Sequence, residues 1–517
     1  MAAGLVDDSS QADAAGTLEV SAPRFSRQRP HVAIAALTLA CLAFYVYHAF
    51  ADQAAYLTTG YDLGIFDQAV RAYAHFQAPM VPLKGAGYNI FGDHFHPIIA
   101  VLAPLYWIWD DVGMLLIAQA VLTAASIPVV YRFTRRRTSE GMSLLVAAAY
   151  GFGWPLQGLI DFDFHEVAFA TPLAALAIDA LDRRDDRKLL LWCGLLLLVR
   201  EDMGLLVALF GVLVLAQRRG RFRQVVGMGV VGLSIYALTT SLIIPHFADG
   251  HGFVYGNQFG SLGPSLSSAV ANVVTHPWHA ANVFFTPEVK AQTMAFLILP
   301  LALLPLRSPY ALLTVPLLAE RFFNTRPNLW TGTFHYNALP WLILVMAMVD
   351  GAQRLGLFEP ERLATVLRRG LAAVLAATPL VLIFIGDHYR IVPVTELRRP
   401  YANQPADWEQ AANDVVKWLP HNVCVAADNH LVPHLTGRDW TTVPATRTVD
   451  PDFIAIDMFA PDTGGNPPAP KPDDVYGQAL VDGYTIVFRE STFVVMQSPD
   501  YAGPSPACTP LGTGKAG

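Results

Sequence analysis

The chain has 517 residues, of which 53% are hydrophobic and only 15% charged, and its net charge is -7. Soluble domains carry charge on about a quarter of their residues, so this shortfall, combined with long apolar runs, selects lipid as the solvent. The acidic balance and the lack of a basic low-complexity tail exclude nucleic acid as a partner.

Residues 1–30 are polar, contain Arg24, Arg27 and Arg29, and read as a disordered cytoplasmic N-terminus. The first apolar run, His31 to Phe50, has the length of a full span rather than a signal-peptide core, and no small-residue cleavage site follows it. Further arginine groups lie at Arg132/Arg135/Arg136/Arg137, Arg183/Arg184/Arg187 with Lys188, Arg218/Arg219/Arg221/Arg223 and Arg354/Arg362/Arg368/Arg369. Short basic loops stay in the cytoplasm, so an even number of spans must separate consecutive groups. Apolar segments near 31–50, 113–131, 141–160, 167–181, 224–246, 292–306, 309–320, 336–350 and 370–386, with a short-armed hairpin in 189–217, meet that condition. The expectation is an all-α polytopic bundle over 31–386, with about eleven transmembrane helices and a C-terminus on the far side of the membrane from the cytoplasm.

Residues 51–112 and 247–291 are then long outer loops. Within the first, His96 to Trp109 is apolar but too short to cross, and reads as an interfacial helix anchored by Tyr106, Trp107 and Trp109. Residues 387–498 read as a small extracytoplasmic α/β domain. It has an amphipathic helix over 406–418 and strand-like runs at 422–427, 453–458, 485–489 and 493–497. The Pro/Gly-rich residues 499–517 read as a flexible tail. Cys41 and Cys193 fall in apolar runs, whereas Cys424 and Cys508 fall in the outer part, where an oxidising compartment permits a disulfide. Trp408, Trp418, Trp440 and the His430/His434 pair suit either a glycan-binding surface or an ordinary core.

Ionisable residues recur at the outer ends of several spans. They are Asp62, Asp67 and Lys84, then Asp93, His94 and His96 in the first loop; Asp163, His165 and Glu166 at one hairpin; Arg200, Glu201 and Asp202 at the next; and Glu320-Arg321, Arg326 and His335 with Tyr336 in the last outer loop. Those ends converge in a bundle, which is how a site is built between helices. The Arg200-Glu201-Asp202 tip sits on arms so short that it lies below the outer surface, where charge needs water or partners. Asp93/His94/His96 and Asp161/Asp163/His165 also have the composition of divalent-metal ligands, without specifying a complete coordination set.

The stretch Asp93-His94-Phe95-His96-Pro97-Ile98, running through Leu102–Trp109 to the helix that ends at Arg132–Arg137, resembles the second region of GT-C glycosyltransferases. Tyr61-Asp62 with Asp67-Gln68 looks like the first-loop acidic motif of that superfamily. Phe162-Asp163-Phe164-His165-Glu166 and Val199-Arg200-Glu201-Asp202 look like its later outer-face motifs. Overall the chain is similar to an uncharacterised bacterial family of polytopic membrane proteins within the superfamily.

The resemblance implies transfer of a sugar from a polyprenyl-phosphate-linked donor to an envelope glycan, lipid or protein acceptor. It makes Asp62 the expected base and Arg200 and Lys84 the expected lipid-phosphate partners. Asp67, Asp93, His94, His96, Asp163, His165, Glu166, Glu201, Asp202, His335 and Tyr336 would shape the sugar and acceptor sites. Relatives often have a lysine followed by small residues at the Arg200 position, whereas Glu201 and Asp202 follow here. A flippase for lipid-linked saccharides would need two repeats that alternate access, and no internal repeat is evident; a non-catalytic envelope scaffold is the third alternative.

Overall fold

The computed structural model describes residues 25–217, 222–248, 253–389, 405–446, 450–459 and 470–514. The expected disordered segment up to residue 24, Arg218, Arg219 and Arg221, the linker 390–404 and residues 515–517 lie outside the described residues.

The membrane part is helical. Four helices are long and apolar enough to cross a bilayer by themselves: His31–Ala54, Gly113–Arg135, Glu140–Asp161 and Phe222–Phe247. Two of them bend where the sequence removes a backbone donor. Pro128 follows the break at Ser126, and Gly153 and Pro155 mark the step between Glu140–Gly151 and Trp154–Asp161. Helices Val167–Asp182, Asp186–Leu196, Met203–Gln217, Glu288–Ile298, Thr314–Phe322 and Arg362–Tyr389 fall on the other expected apolar segments. Helix Ala338–Arg354 is buried from Ala338 to Ala352, which makes it the axis of the bundle. Apolar side chains such as Leu39, Val121, Leu190, Leu191 and Val230 are exposed on the periphery, where lipid would cover them.

Close helix contacts depend on small residues. A Cβ on Gly204 would stand 2.4 Å from the Gly232 carbonyl oxygen, so the arms Met203–Gln217 and Phe222–Leu238 touch backbone to backbone. At one end of the bundle, the arginine turns are tied to neighbouring carboxylates. Arg132 and Arg136 reach Asp179 at 2.7 and 2.6 Å, and Arg136 and Arg137 reach Asp182.

At the opposite end, the expected interfacial segment forms a 3-10 helix, Pro97–Leu102, followed by a single α-turn, Ala103–Tyr106. Its Val101, Trp107 and Ile108 are exposed, and Trp107 donates to the Ala74 carbonyl at 2.7 Å.

The C-terminal unit is a five-stranded sheet of order β2-β1-β3-β5-β4, where β1 is Cys424–Ala427, β2 Trp440–Thr442, β3 Phe453–Asp457, β4 Thr485–Glu490 and β5 Phe493–Gln497. β1 pairs in parallel with β2 and β3, while β5 runs antiparallel to β3 and β4. Helices Trp408–Trp418 and Pro472–Val481 accompany it. Trp408 is buried and donates to Asp457 at 2.7 Å, and Trp440 and His430 are also buried, so these three serve the core, whereas Trp418 is exposed.

The segment expected as a flexible tail is packed as far as residue 514. Cys508 is disulfide-bonded to Cys424, Gly514 donates to the Ala507 carbonyl, and there is no space for a Cβ between Gly514 and the Trp440 ring. Proline and glycine here shape turns around a covalent anchor instead of leaving the chain loose. Reducing the disulfide should cost the C-terminal unit about 2–4 kcal/mol. Limited proteolysis should then cut between residues 499 and 514 in reduced protein only, and equal cutting in oxidised protein would contradict this packing.

Candidate active site

The first long loop begins with a π-helical turn, Gly60–Gly64, that runs directly into helix Ile65–Ala74 and presents Asp62. Single π turns concentrate at functional sites. The turn is held from two sides. Asp163, in a left-handed backbone conformation (φ 54°), accepts hydrogen bonds from the Thr59 amide at 2.9 Å and the Thr59 hydroxyl at 3.0 Å. From the C-terminal unit, Asn429 accepts from the Gly60 amide with its carbonyl (2.8 Å) and from the Tyr61 amide with its side chain (2.9 Å). Val432 fills the remaining space so closely that a Cβ on Gly60 would stand 2.5 Å from its Cγ1. Further bonds fix the dock: Gln68 donates to the Thr441 carbonyl, Thr446 donates to the Leu83 carbonyl, and His434 stacks on Tyr56 with ring centroids 4.0 Å apart.

Asp62 faces a cavity of about 440 Å³. Of the residues singled out from the sequence, Asp62, Lys84, Asp93, His94, His96, His165, Glu166, Arg200, Asp202, His335 and Tyr336 all line it. His165 Nε2 lies 3.2 Å from Asp62 Oδ1, and its ring clusters with Phe162 and His335, with centroids 5.1 and 3.8 Å away.

Arg200 is forked onto Asp202, with Nε and Nη2 each donating at 2.8 Å, and Nη1 donates to Glu166 at 3.2 Å. These bonds use three of the guanidinium's five donors. Lys84 donates to Asp93 at 2.5 Å, and Tyr255 donates to the other Asp93 oxygen at 2.7 Å.

Three expected residues stand behind the wall instead of in it. Asp67 is buried, accepting from Arg71 at 3.0 Å and from the Tyr106 hydroxyl at 2.6 Å, which clamps the interfacial segment to helix Ile65–Ala74. Asp163 orients the Asp62 turn, as described. Glu201 accepts from the Phe95 amide (3.1 Å) and is paired with His94 Nδ1 (2.7 Å), joining the hairpin tip to the start of the interfacial segment. Neither metal-like grouping converges, because Asp93, His94, Asp163 and His165 are each committed to the different partners just named.

The cavity also contains Glu320, Arg321 and Arg326, which the sequence places at the outer ends of the spans without giving them a role, and Tyr61, Tyr255, Gln258 and Asn324, to which sequence reasoning gave none. Glu320-Arg321 had a signal, a charged pair ending an otherwise apolar helix. Arg321 is buried and, among the described residues, bonds neutral acceptors: the carbonyls of Leu329, Tyr336 and Thr331 and the Asn337 side chain. It thus shapes the 329–337 loop that delivers His335 and Tyr336. Tyr255 had no signal, since an aromatic residue in a long loop is ordinary. It stacks on His94 at 4.6 Å and brings the second long loop onto the site.

Charge pairing sets the protonation of the loop residues. Burial would raise the Asp93 carboxyl, yet Lys84, His94 and the bonds from Lys84 and Tyr255 hold it well below the usual carboxylate range. Burial would lower His94, but the charge and hydrogen bond of Glu201, helped by Asp93, lift it to about 9.

A bundle of membrane helices whose polar residues gather in a cavity at one end, with a small C-terminal sheet domain docked on the first long loop, defines a polytopic membrane protein of GT-C-like fold. The chain belongs to the family described as "Predicted membrane protein (DUF2079)", which matches residues 54–472.

Among solved structures, it is similar to ArnT from Cupriavidus metallidurans bound to undecaprenyl phosphate, with a TM-score of 0.51 and 12% identity, covering 92% of this chain and 100% of that one. The apo state of the same ArnT gives a TM-score of 0.45 and 13% identity over 90% and 99% of the two chains. No curated protein sequence matches the chain. The likeness to ArnT extends to the fold.

Because His94 is raised by its partner, the stability it contributes is fully present below the ordinary histidine pKa of about 6.5. That stability is lost as pH rises through about 9. The difference in thermal midpoint between wild type and His94→Gln in detergent should be clear at pH 6 and vanish by about pH 10. A difference that grows with pH would contradict the pairing with Glu201.

Proposed function

We propose that the protein is a glycosyltransferase that moves a sugar from a polyprenyl-phosphate donor to an envelope acceptor at the outer face of the cytoplasmic membrane. The observation that carries this reading is the carboxylate of Asp62, placed 3.2 Å from His165 in a cavity that also contains Lys84, Arg200 and Arg326. A base next to a cluster of cations suits attack by a hydroxyl with departure of a phosphate. ArnT, whose fold the chain shares, is described bound to undecaprenyl phosphate, which supports a donor of that class.

In the proposed reaction, the acceptor hydroxyl gives its proton to Asp62 as its oxygen bonds to the anomeric carbon. The bond from that carbon to the phosphate oxygen breaks, and the polyprenyl phosphate leaves with the electron pair. His165, backed by the stacked His335, orients the Asp62 carboxylate. Lys84, Arg326 and the remaining donors of Arg200 receive the phosphate charge. Glu166 and Asp202 hold Arg200 in place and moderate its charge, so that phosphate is bound and then released. The sidedness is supported by the arginine turns, which lie at the end of the bundle away from the cavity, and by the Cys424–Cys508 disulfide, a bond suited to an oxidising compartment.

With purified protein in vesicles and a polyprenyl-phosphate sugar, Asp62→Asn should lower turnover by about 10²–10⁴-fold with little change in donor KM. Arg200→Lys should raise donor KM more than it lowers turnover. Wild-type turnover in both variants, in protein that elutes normally, would defeat the assignment. Gly60→Ala tests the dock itself. The added methyl must displace Val432, at a cost of about 1–3 kcal/mol, and should depress activity while leaving the membrane domain folded. Unchanged activity and thermal midpoint would show that the turn tolerates a side chain.

A further inference from the structure

A second cluster of ionisable groups lies outside the cavity, where the first span meets helix Trp154–Asp161. His48 and Asp52 are one helical turn apart on the same face of Phe25–Ala54, and Asp161 ends its own helix opposite them. His48 Nε2 is 3.0 Å from Asp161 Oδ1 and 3.1 Å from Asp52 Oδ2, and one donor atom from each of the three residues lies within 4.8 Å of the others. His48 and Asp52 are buried, at 1% and 5% exposure, while about a third of the Asp161 side chain is open.

Hydrogen bonding does not satisfy this arrangement. A single Nε2–H can point along one line, and here it is directed at Asp161. Asp52 Oδ2 is left buried with no hydrogen bond, its lone pairs facing the same point as the imidazole nitrogen. Its 3.1 Å contact with the ring is an ion pair at most, and a buried carboxylate oxygen without a hydrogen bond is costly. A cation at the shared point removes the conflict, because the neutral imidazole and both carboxylates can then each offer a lone pair. The imidazole-to-carboxylate separations of 3.0 and 3.1 Å are those produced around an ion with bonds of about 2.1 Å. One imidazole with two carboxylates suits a divalent first-row transition ion, and the open side of Asp161 leaves room for water as the remaining ligands and a path from solvent.

We propose that His48, Asp52 and Asp161 form a binding site for a divalent transition-metal ion such as Mn²⁺ or Zn²⁺, separate from the sugar-transfer cavity. The ion ties the end of the first span to the segment Phe162–His165. Phe162 and His165 line the cavity, and Asp163 holds Thr59 at the start of the Asp62 turn. Its role is to fix that wall in place.

The test uses full-length protein in detergent, stripped with chelator and re-equilibrated with Mn²⁺ or Zn²⁺. Elemental analysis should find one tightly held ion per chain, with a rise of a few degrees in thermal midpoint. His48→Gln and Asp52→Asn should each weaken retention by at least about tenfold, whereas the cavity variants Asp93→Asn and His94→Gln should retain the ion. With Mn²⁺, pulsed paramagnetic resonance of the wild type should show coupling to one histidine nitrogen, a readout that needs no variant. Absence of a retained ion, absence of the nitrogen coupling, or loss of the ion in the cavity variants but not in His48→Gln would each overturn the proposal.

Discussion

The feature on which the rest of the structure depends is the space denied to a side chain at Gly60. The turn carrying Asp62 is pressed against Val432 and hydrogen-bonded to Asn429, so its conformation is set by a domain that begins hundreds of residues later. Without that dock the turn would be a glycine-flanked loop with many accessible shapes. With it, the Asp62 carboxylate has a fixed place beside His165. The C-terminal unit is thus part of the site's framework, although none of its residues lines the cavity among those described.

The second constraint is electrostatic. Charged groups gathered at the end of an apolar bundle must be paired or watered, and here most are paired. Arg200 with Asp202 and Glu166, Lys84 with Asp93, and His94 with Glu201 each link different segments of the chain. The same pairs that make burial tolerable also stitch the first loop, the hairpin tip and the second loop into one wall. Breaking one partner would leave a buried charge uncompensated, a larger penalty than the worth of the pair itself.

Much of this was legible in the sequence, for physical reasons. Apolar runs and arginine turns report the membrane part because lipid tolerates so few alternatives. The cavity residues were legible as charges at depths where charge needs a reason. What periodicity could not reveal is which neighbour in a polar cluster faces inward. Asp161, Asp163 and His165 alternate in sequence, but the backbone between them is irregular and Asp163 has positive φ. The three side chains therefore reach His48, Thr59 and Asp62 respectively. Strand β2 is three residues long, too short to show alternation. The terminal segment reads as disordered by composition, and only the disulfide reveals that it is anchored.

The dock also has a consequence in time. The Tyr61 amide and the Asn429 side chain are 368 positions apart, so the first loop is synthesised and inserted long before its clamp exists. Contacts of such separation close late. Until the last domain has been made and folded, Asp62 sits on an unset loop, and a truncated chain carries every cavity residue of the membrane part without the geometry to use them. Completion of the polypeptide thereby becomes the switch that arms the site.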